Sequence, residues 1–409
     1  MDELLWAAVI LGALLKLISL YFGGIACFAL KKEIPYPSAK KMRRFAVITA
    51  ARNEERVIGS FIKSVQKQNY PIELFDVFVI PNNCTDNTEK AAKAHGAEII
   101  NCPFSVTCKG DALHQAMIQL QKKGYDAFCV FDSDNIVDPN FLLKMNDAFH
   151  AGAKVAKGRQ LASNAQDSWV SGCYHIYFNL FHLFFNKARG VCGLSAKLVG
   201  TGFAVDKDVL NRLGGWNTST IAEDAEFSAQ CALLGERVWW VPQAITYDEQ
   251  PTSFRVSLLQ RRRWCSGIMQ VGKLHLKNLV KRLHRPNRAY AADFSMFLIG
   301  AFAQALSVFP LSLTLLAAIL DGKEGIFNFM QVMGLYFVFY YVIMCFVAAI
   351  LTLHDENGKI PKKMRAAILL FPIFMASWIP LQVISLFQET KSWTEIRHNG
   401  QSKDRIPTA

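Results

Sequence analysis

None of the ten cysteines forms a C-x-x-C pair, and their spacings are irregular. A dithiol motif and a zinc ribbon are therefore excluded, and the cysteines read as small apolar residues of a reducing compartment, without disulfides. Internal repeats and low-complexity tracts are missing too, so the chain is not an array of small units. Acidic residues are in deficit, 33 against 45 Lys and Arg, for a net charge of +12. The first apolar run lacks the marks of a cleaved leader: it opens on the acidic MDELLW, and no Ala-x-Ala-like site follows it. A retained anchor is expected.

What is present is uneven hydrophobicity. Long apolar runs cover residues 4–30, 291–320, 327–353 and 366–387 of the 409, each enough for the roughly 20 residues of a membrane-spanning helix. The expected order is an anchor (1–31), a water-facing domain (32–250), amphipathic interface helices (251–288), about three further spans (289–390) and a basic tail (391–409). The flank KKEIPYPSAKKMRR places the domain on the cytoplasmic side of a plasma membrane by the positive-inside rule. The charge is then membrane-surface charge and not a nucleic-acid footprint. Four spans would return the tail outside. Its basic residues, and the resemblance of Trp393 and Arg397 to a cytoplasmic motif, would instead keep it inside, with the segment holding Pro372 and Pro380 re-entrant.

Within the domain, strand-like FAVITA, FDVFVI, AEIINC and AFCVF alternate with helical stretches such as NEERVIGSFIKSVQKQ and KGDALHQAMIQLQKKG. That alternation predicts an α/β fold, a mostly parallel Rossmann-like sheet with helices on both faces. Ligands of such sheets bind at the carboxyl ends of the strands. Three polar clusters fall there: AARNEE, PNNCTDNT and DSDN. Turn and cap preferences explain Thr85 and Thr88. They do not explain Asp132 and Asp134, which leave the fourth strand on one side, repel each other, and call for a cation nearby.

ITAARNEE, NNCTDNT, KGDAL, FDSDN, GTGF…GGW…AEDAEF and QRRRW, in this order, resemble the family 2 glycosyltransferases of GT-A fold. The shape is most similar to the membrane-embedded processive branch, with cellulose, chitin, hyaluronan and poly-N-acetylglucosamine synthases. The likeness covers residues 44–267.

The resemblance implies roles. Asp134 would bind Mg²⁺ or Mn²⁺, with Asp132 in the metal shell or on the donor ribose; a hard cation suits oxygen ligands and neutralises a departing diphosphate. Glu54 would contact the uridine, and Asn82 or Asn83 the uracil, although an Asp often stands where this chain has Asn. Lys109 would touch the donor. Asp224 would be the general base, Glu223 its support, with Ala222 in place of the usual Thr. Arg263 would pair with the diphosphate. Trp264 would face the acceptor sugar, helped by Gln260, Arg261 and the flexible loop at Gly202.

The expected activity is inverting, processive synthesis of a β-linked polysaccharide from a UDP-hexose, UDP-glucose ahead of UDP-N-acetylglucosamine, with export through the bilayer. Two alternatives stand beside it: transfer of one sugar to a lipid, and a transporter with a nucleotide-binding domain.

Overall fold

The computed structural model describes residues 2–355 and 358–390; Trp393 and Arg397 lie outside them. Helix α1 (Asp2–Ala26) leads into β1 (Phe45–Ala51), α2 (Ile58–Gln66), β2 (Phe75–Pro81), α3 (Thr88–Ala94), β3 (Glu98–Ile99), α4 (Lys109–Leu120) and β4 (Ala127–Asp132). Strands β3, β2, β1 and β4 lie in that order and run parallel, as the alternation predicts. Side chains of successive strand residues take opposite faces. Phe45 and Val47 therefore join Phe61 and Val65 of α2, while Ala46 and Ile48 join Leu113 and Met117 of α4. One strand knits two apolar layers.

Beyond β4 the sheet becomes mixed. The chain continues through β5 (Ile136–Val137), α5 (Phe141–His150), β6 (Val155–Ala162), α6 (Trp169–Phe181), α7 (Ala188–Val191), β7 (Phe203–Asp206), α8 (Lys207–Leu213), α9 (Glu223–Leu234) and β8 (Val238–Asp248). Strand β7 runs antiparallel to β4 and β6, and β5 antiparallel to β8. The reversal of β7 brings its entrance, GTGF, to the exit of β4, where the Gly202 amide donates to the Val130 carbonyl at 2.9 Å. Pairing of Ile136 with Tyr247 sets the DSDN turn against the exit of β8.

The remaining helices are α10 (Phe254–Lys281), α11 (Arg288–Leu306), α12 (Val308–Leu320), α13 (Lys323–Asp355), α14 (Met364–Ala376) and α15 (Trp378–Phe387). Four stretches of the described residues are long and apolar enough to cross a membrane: Asp2–Leu30, Arg288–Leu320, Lys323–Asp355 and Met364–Phe387. Large apolar side chains such as Trp6, Leu17, Phe337 and Phe346 stand exposed on the first and third.

The fourth stretch differs. Pro372 lies inside α14, and α14 packs on the sheet domain through α6, with Cys173 Sγ bonded to the Ala367 carbonyl. After α15 the chain returns to α10: Arg262 donates to Gln388, Lys273 pairs with Glu389, and Gln270 donates to Thr390. Helix α10 in turn shares a core with α9. Both ends of the stretch thus meet the α/β domain or α10. Helix α6 packs into an apolar core with α14; its His175 and the β6 residue Arg159 both bond Asp355 at the end of α13.

Candidate active site

A single cavity of about 750 Å³ is lined by Glu54, Asn82, Lys109, Asp132, Asp134, Glu223, Asp224, Gln260, Arg263 and Trp264. The carboxylates at the exit of β4 and in the first turn of α9 share it.

The cation demanded by Asp132 is Lys109. Its Nζ lies 2.5 Å from Asp132 Oδ1, 2.8 Å from the Gly200 carbonyl and 3.8 Å from Glu223 Oε1. Gly200 also donates its amide to Asp224 Oδ2 at 2.5 Å, while the Ala225 amide holds the other Asp224 oxygen at 2.7 Å. The loop achieves this with φ +52° at Gly200, a conformation that favours glycine. Glu223 is deeply buried. Burial pushes its carboxyl up to about 7, the Asp224 charge adds to that, and the Lys109 ammonium opposes it.

Two expected site residues do not line the cavity. Asn83, with φ +49°, donates its amide to the Val106 carbonyl at 2.8 Å and ties down the loop; Asn82 is the neighbour that lines the cavity. Gly202 is packed so tightly beneath Thr246 that an added Cβ would come within 3.0 Å of its side chain. Gly200 lines the cavity in its place. Glu54 does line it, its amide fixed by Thr88 Oγ1 at 2.8 Å.

On α10, Gln260, Arg263 and Trp264 stand at i, i+3 and i+4, one helical face, and all three line the cavity. Arg263 is half-buried; desolvation lowers its pKa, while Glu223, Asp132 and Asp224 work the other way. Trp264 lies nearly parallel to Trp378 at 6.1 Å. Arg261 is offset by about 100° around the helix. It donates to the Phe374 carbonyl at 2.9 Å and to Ser377 Oγ at 2.8 Å, with its guanidinium 4.1 Å above the Phe374 ring. It ties α10 to α14 and does not reach the cavity, a correction to its expected supporting role.

The structure adds Asp248, Gln160, Gln250 and Lys197 to the lining. Asp248 is buried; Gln160 and Gln250 donate to its Oδ2, and its Oδ1 has no hydrogen-bond partner. Burial first, then the charges of Asp134 and Asp132, raise its pKa well above the carboxylate range, with Lys157 opposing. An orphaned carboxylate oxygen facing two more carboxylates suits a hard divalent cation. The described residues form no closed group of three ready metal ligands. Such cations are often held by one or two carboxylates together with substrate phosphates, so the donor set fits one.

A parallel α/β half-sheet whose strand exits, reversed β7 entrance and α9 carboxylates converge on one cavity defines the GT-A class of glycosyltransferase. The sequence profile of "Glycosyl transferase family group 2" matches residues 127–353, more than half of the chain, and the chain belongs to that family. It is an enzyme, a glycosyltransferase. Over 365 residues it is 26% identical to the "Probable glycosyltransferase YdaM" of Bacillus subtilis, covering 86% of this chain and 84% of that one. It is 24% identical over 271 residues to the "Beta-monoglucosyldiacylglycerol synthase" of Nostoc sp. PCC 7120, covering 64% of this chain and 56% of that protein. In fold it is similar to the mannosyltransferase PcManGT of Pyrobaculum calidifontis, solved with GDP-mannose and Mn²⁺. The TM-score is 0.62 at 16% identity, over 94% of this chain and 99% of that one. The transporter alternative falls with the family assignment.

Proposed function

We propose that this enzyme transfers a single hexose from a UDP-sugar to a hydroxyl of a membrane lipid. One observation carries the reading: the cavity that holds Asp224 continues past Trp264 to Leu15, Ile18 and Phe22 of α1 and Phe297 and Ala301 of α11. An acyl or prenyl chain can lie against that wall, whereas the hydroxyls of a polymer would be stranded there. Relatives named as monoglucosyldiacylglycerol synthases support it. A lipid acceptor thus moves ahead of the polysaccharide acceptor expected from the motifs.

The chemistry is a direct displacement. Asp224, its oxygens positioned by two backbone amides, takes the proton of the acceptor hydroxyl. That oxygen bonds to the sugar carbon from the face opposite the leaving group and inverts it. The bond from carbon to diphosphate breaks, and its electron pair leaves with the nucleoside diphosphate. Glu54 and Asn82 hold the nucleoside end; Arg263 and Lys109 face the diphosphate, and Glu223 supports the base. Mg²⁺ or Mn²⁺ held by Asp134 and Asp248, with Asp132 beside them, would supply Lewis-acid neutralisation of the diphosphate.

The same reading seats the protein in a cell membrane with residues 32–250 on the cytoplasmic side. Helices α1, α11 with α12, and α13 cross; α14 and α15 re-enter, because both ends of their stretch return to the domain side. The tail is then cytoplasmic. Processive polymerisation stays as a second reading on one observation, the paired indoles of Trp264 and Trp378, a platform on which a sugar ring can stack.

The test is product partition. Purified protein with Mn²⁺, labelled UDP-glucose and a lipid mixture should give label in the organic phase as a one-sugar lipid. A water-soluble polymer cut by a glycosidase would overturn the lipid reading.

A further inference from the structure

Lys197 lines the cavity in surroundings unlike those of Lys109 and Arg263. Lys109 is occupied by Asp132 and Gly200, and Arg263 feels three carboxylates. The ammonium of Lys197 donates to no such partner among the described residues and lies over the face of Phe297, 4.2 Å from the ring centroid. Its backbone is clamped on both sides by Asn186, which accepts from the Lys197 amide at 3.0 Å and donates to its carbonyl at 3.4 Å. The charge is therefore placed with care and left without an oxygen. Burial holds Lys197 down to about 8, with Asp224 opposing, which leaves it charged at neutral pH. An ammonium in a partly apolar cavity is costly without an anionic or hydrogen-bonding acceptor.

Its position is between chemistry and membrane. Lys197 precedes Gly200, the residue bonded to Asp224, by three positions. Phe297, beneath it, starts a face of α11 that continues through Gly300 and Gln304, both in the lining. Gln304 lies about 10 Å further along the helix, and Gln382 of α15 donates to it at 2.9 Å.

We infer that Lys197 binds a phosphate group carried by the acceptor lipid, so that the acceptor class is a hydroxyl-bearing acidic phospholipid. This rests on the lipid reading above. The phosphodiester would sit on Lys197, the free hydroxyl of the headgroup would turn to Asp224, and the chains would follow α11 past Gln304. A hydroxyl acceptor is the kind that uses a base: its proton passes to Asp224, its oxygen bonds to the sugar carbon, and the nucleoside diphosphate departs with the electron pair. A phosphate-monoester oxygen needs no base.

The experiment uses the full chain in mixed micelles with Mn²⁺ and UDP-glucose, with UDP-N-acetylglucosamine in parallel. Three acceptors are compared: phosphatidylglycerol, diacylglycerol and a polyprenyl monophosphate. The expected result is a kcat/KM for phosphatidylglycerol at least ten-fold above that for diacylglycerol. Lys197→Met should lower that ratio at least ten-fold by raising the phosphatidylglycerol KM, with the UDP-sugar KM held as evidence of an intact donor site. Lys197→Arg should restore it. Equal use of diacylglycerol, or a ratio indifferent to Lys197→Met, overturns the inference and leaves the lipid reading standing. Preference for the polyprenyl phosphate also overturns it, since the phosphate is then the nucleophile. If no lipid is labelled and an aqueous polymer forms, the lipid reading fails and this inference with it.

Discussion

Lys109 Nζ stands 2.5 Å from Asp132 Oδ1. The same ammonium reaches the Gly200 carbonyl and Glu223, so one cation joins the KGDAL, FDSDN, GTGF and AEDAEF segments. Lys109→Met leaves Asp132 and Glu223 facing each other without it and, on the proposed function, also removes a cation facing the diphosphate. Its kcat/KM should fall about 100-fold or more. Lys109→Arg should not rescue, because a planar fork cannot replace a compact point charge. Steady-state kinetics on variants with native circular dichroism checks both.

Removal of divalent cations should stop turnover, and Mn²⁺ or Mg²⁺ should restore it. If Asp134 and Asp248 hold the ion, Asp134→Asn and Asp248→Asn should each raise the Mn²⁺ concentration for half-maximal activity by about ten-fold or more. Unchanged synthesis in excess EDTA removes the metal from the account.

Glu223 makes stability depend on pH. Its folded-state pKa of about 7 lies above the ordinary 4.5, so the folded protein holds the proton more tightly than the unfolded chain. The contribution is fully present below about pH 4.5 and is lost as pH rises to about 7. Glu223→Gln stays neutral throughout. The Tm of the variant minus that of the wild type should therefore increase across this window, which thermal melts at pH 4.5 to 8 will show.

Two of the three arginines of QRRRW, Arg261 and Arg263, separate folding from binding. Arg261→Met loses the charged hydrogen bonds to Phe374 and Ser377, a cost of about 1.5–3 kcal/mol; Tm should drop while UDP affinity holds. Arg263→Met should do the reverse, weakening UDP at least ten-fold with little change in Tm. Calorimetric titration and melts on the pair distinguish them.

Much of this was legible in the sequence because it is periodic. Alternation of strand-like segments such as FAVITA and FDVFVI with helical stretches predicts the parallel strands, and the strand-exit rule then gathers Glu54, Asn82, Asp132 and Asp134 at one edge. Helical spacing also contains the correction to Arg261, since residues 260, 263 and 264 share a face that 261 does not. What stayed hidden is non-local. The mixed half of the sheet brings Asp248 to the site, and ITYDEQ reads locally as a strand running into a turn; a third acidic strand exit was the signal to follow. Lys197 lies in a loop with no period at all. Asn83 and Gly202 sit one and two positions from residues that do line the cavity, a distinction made by what each packs against, the Val106 carbonyl and Thr246, and invisible in composition.

The central claim is that Asp224 acts as base in a cavity shared with the donor site around Asp134. Asp224→Asn keeps the shape and removes the charge, so single-turnover sugar transfer should fall by at least about 10³-fold while the Kd for the UDP-sugar with Mn²⁺ stays within two-fold of wild type. Transfer at the wild-type rate by this variant, with the donor bound normally, would contradict the account.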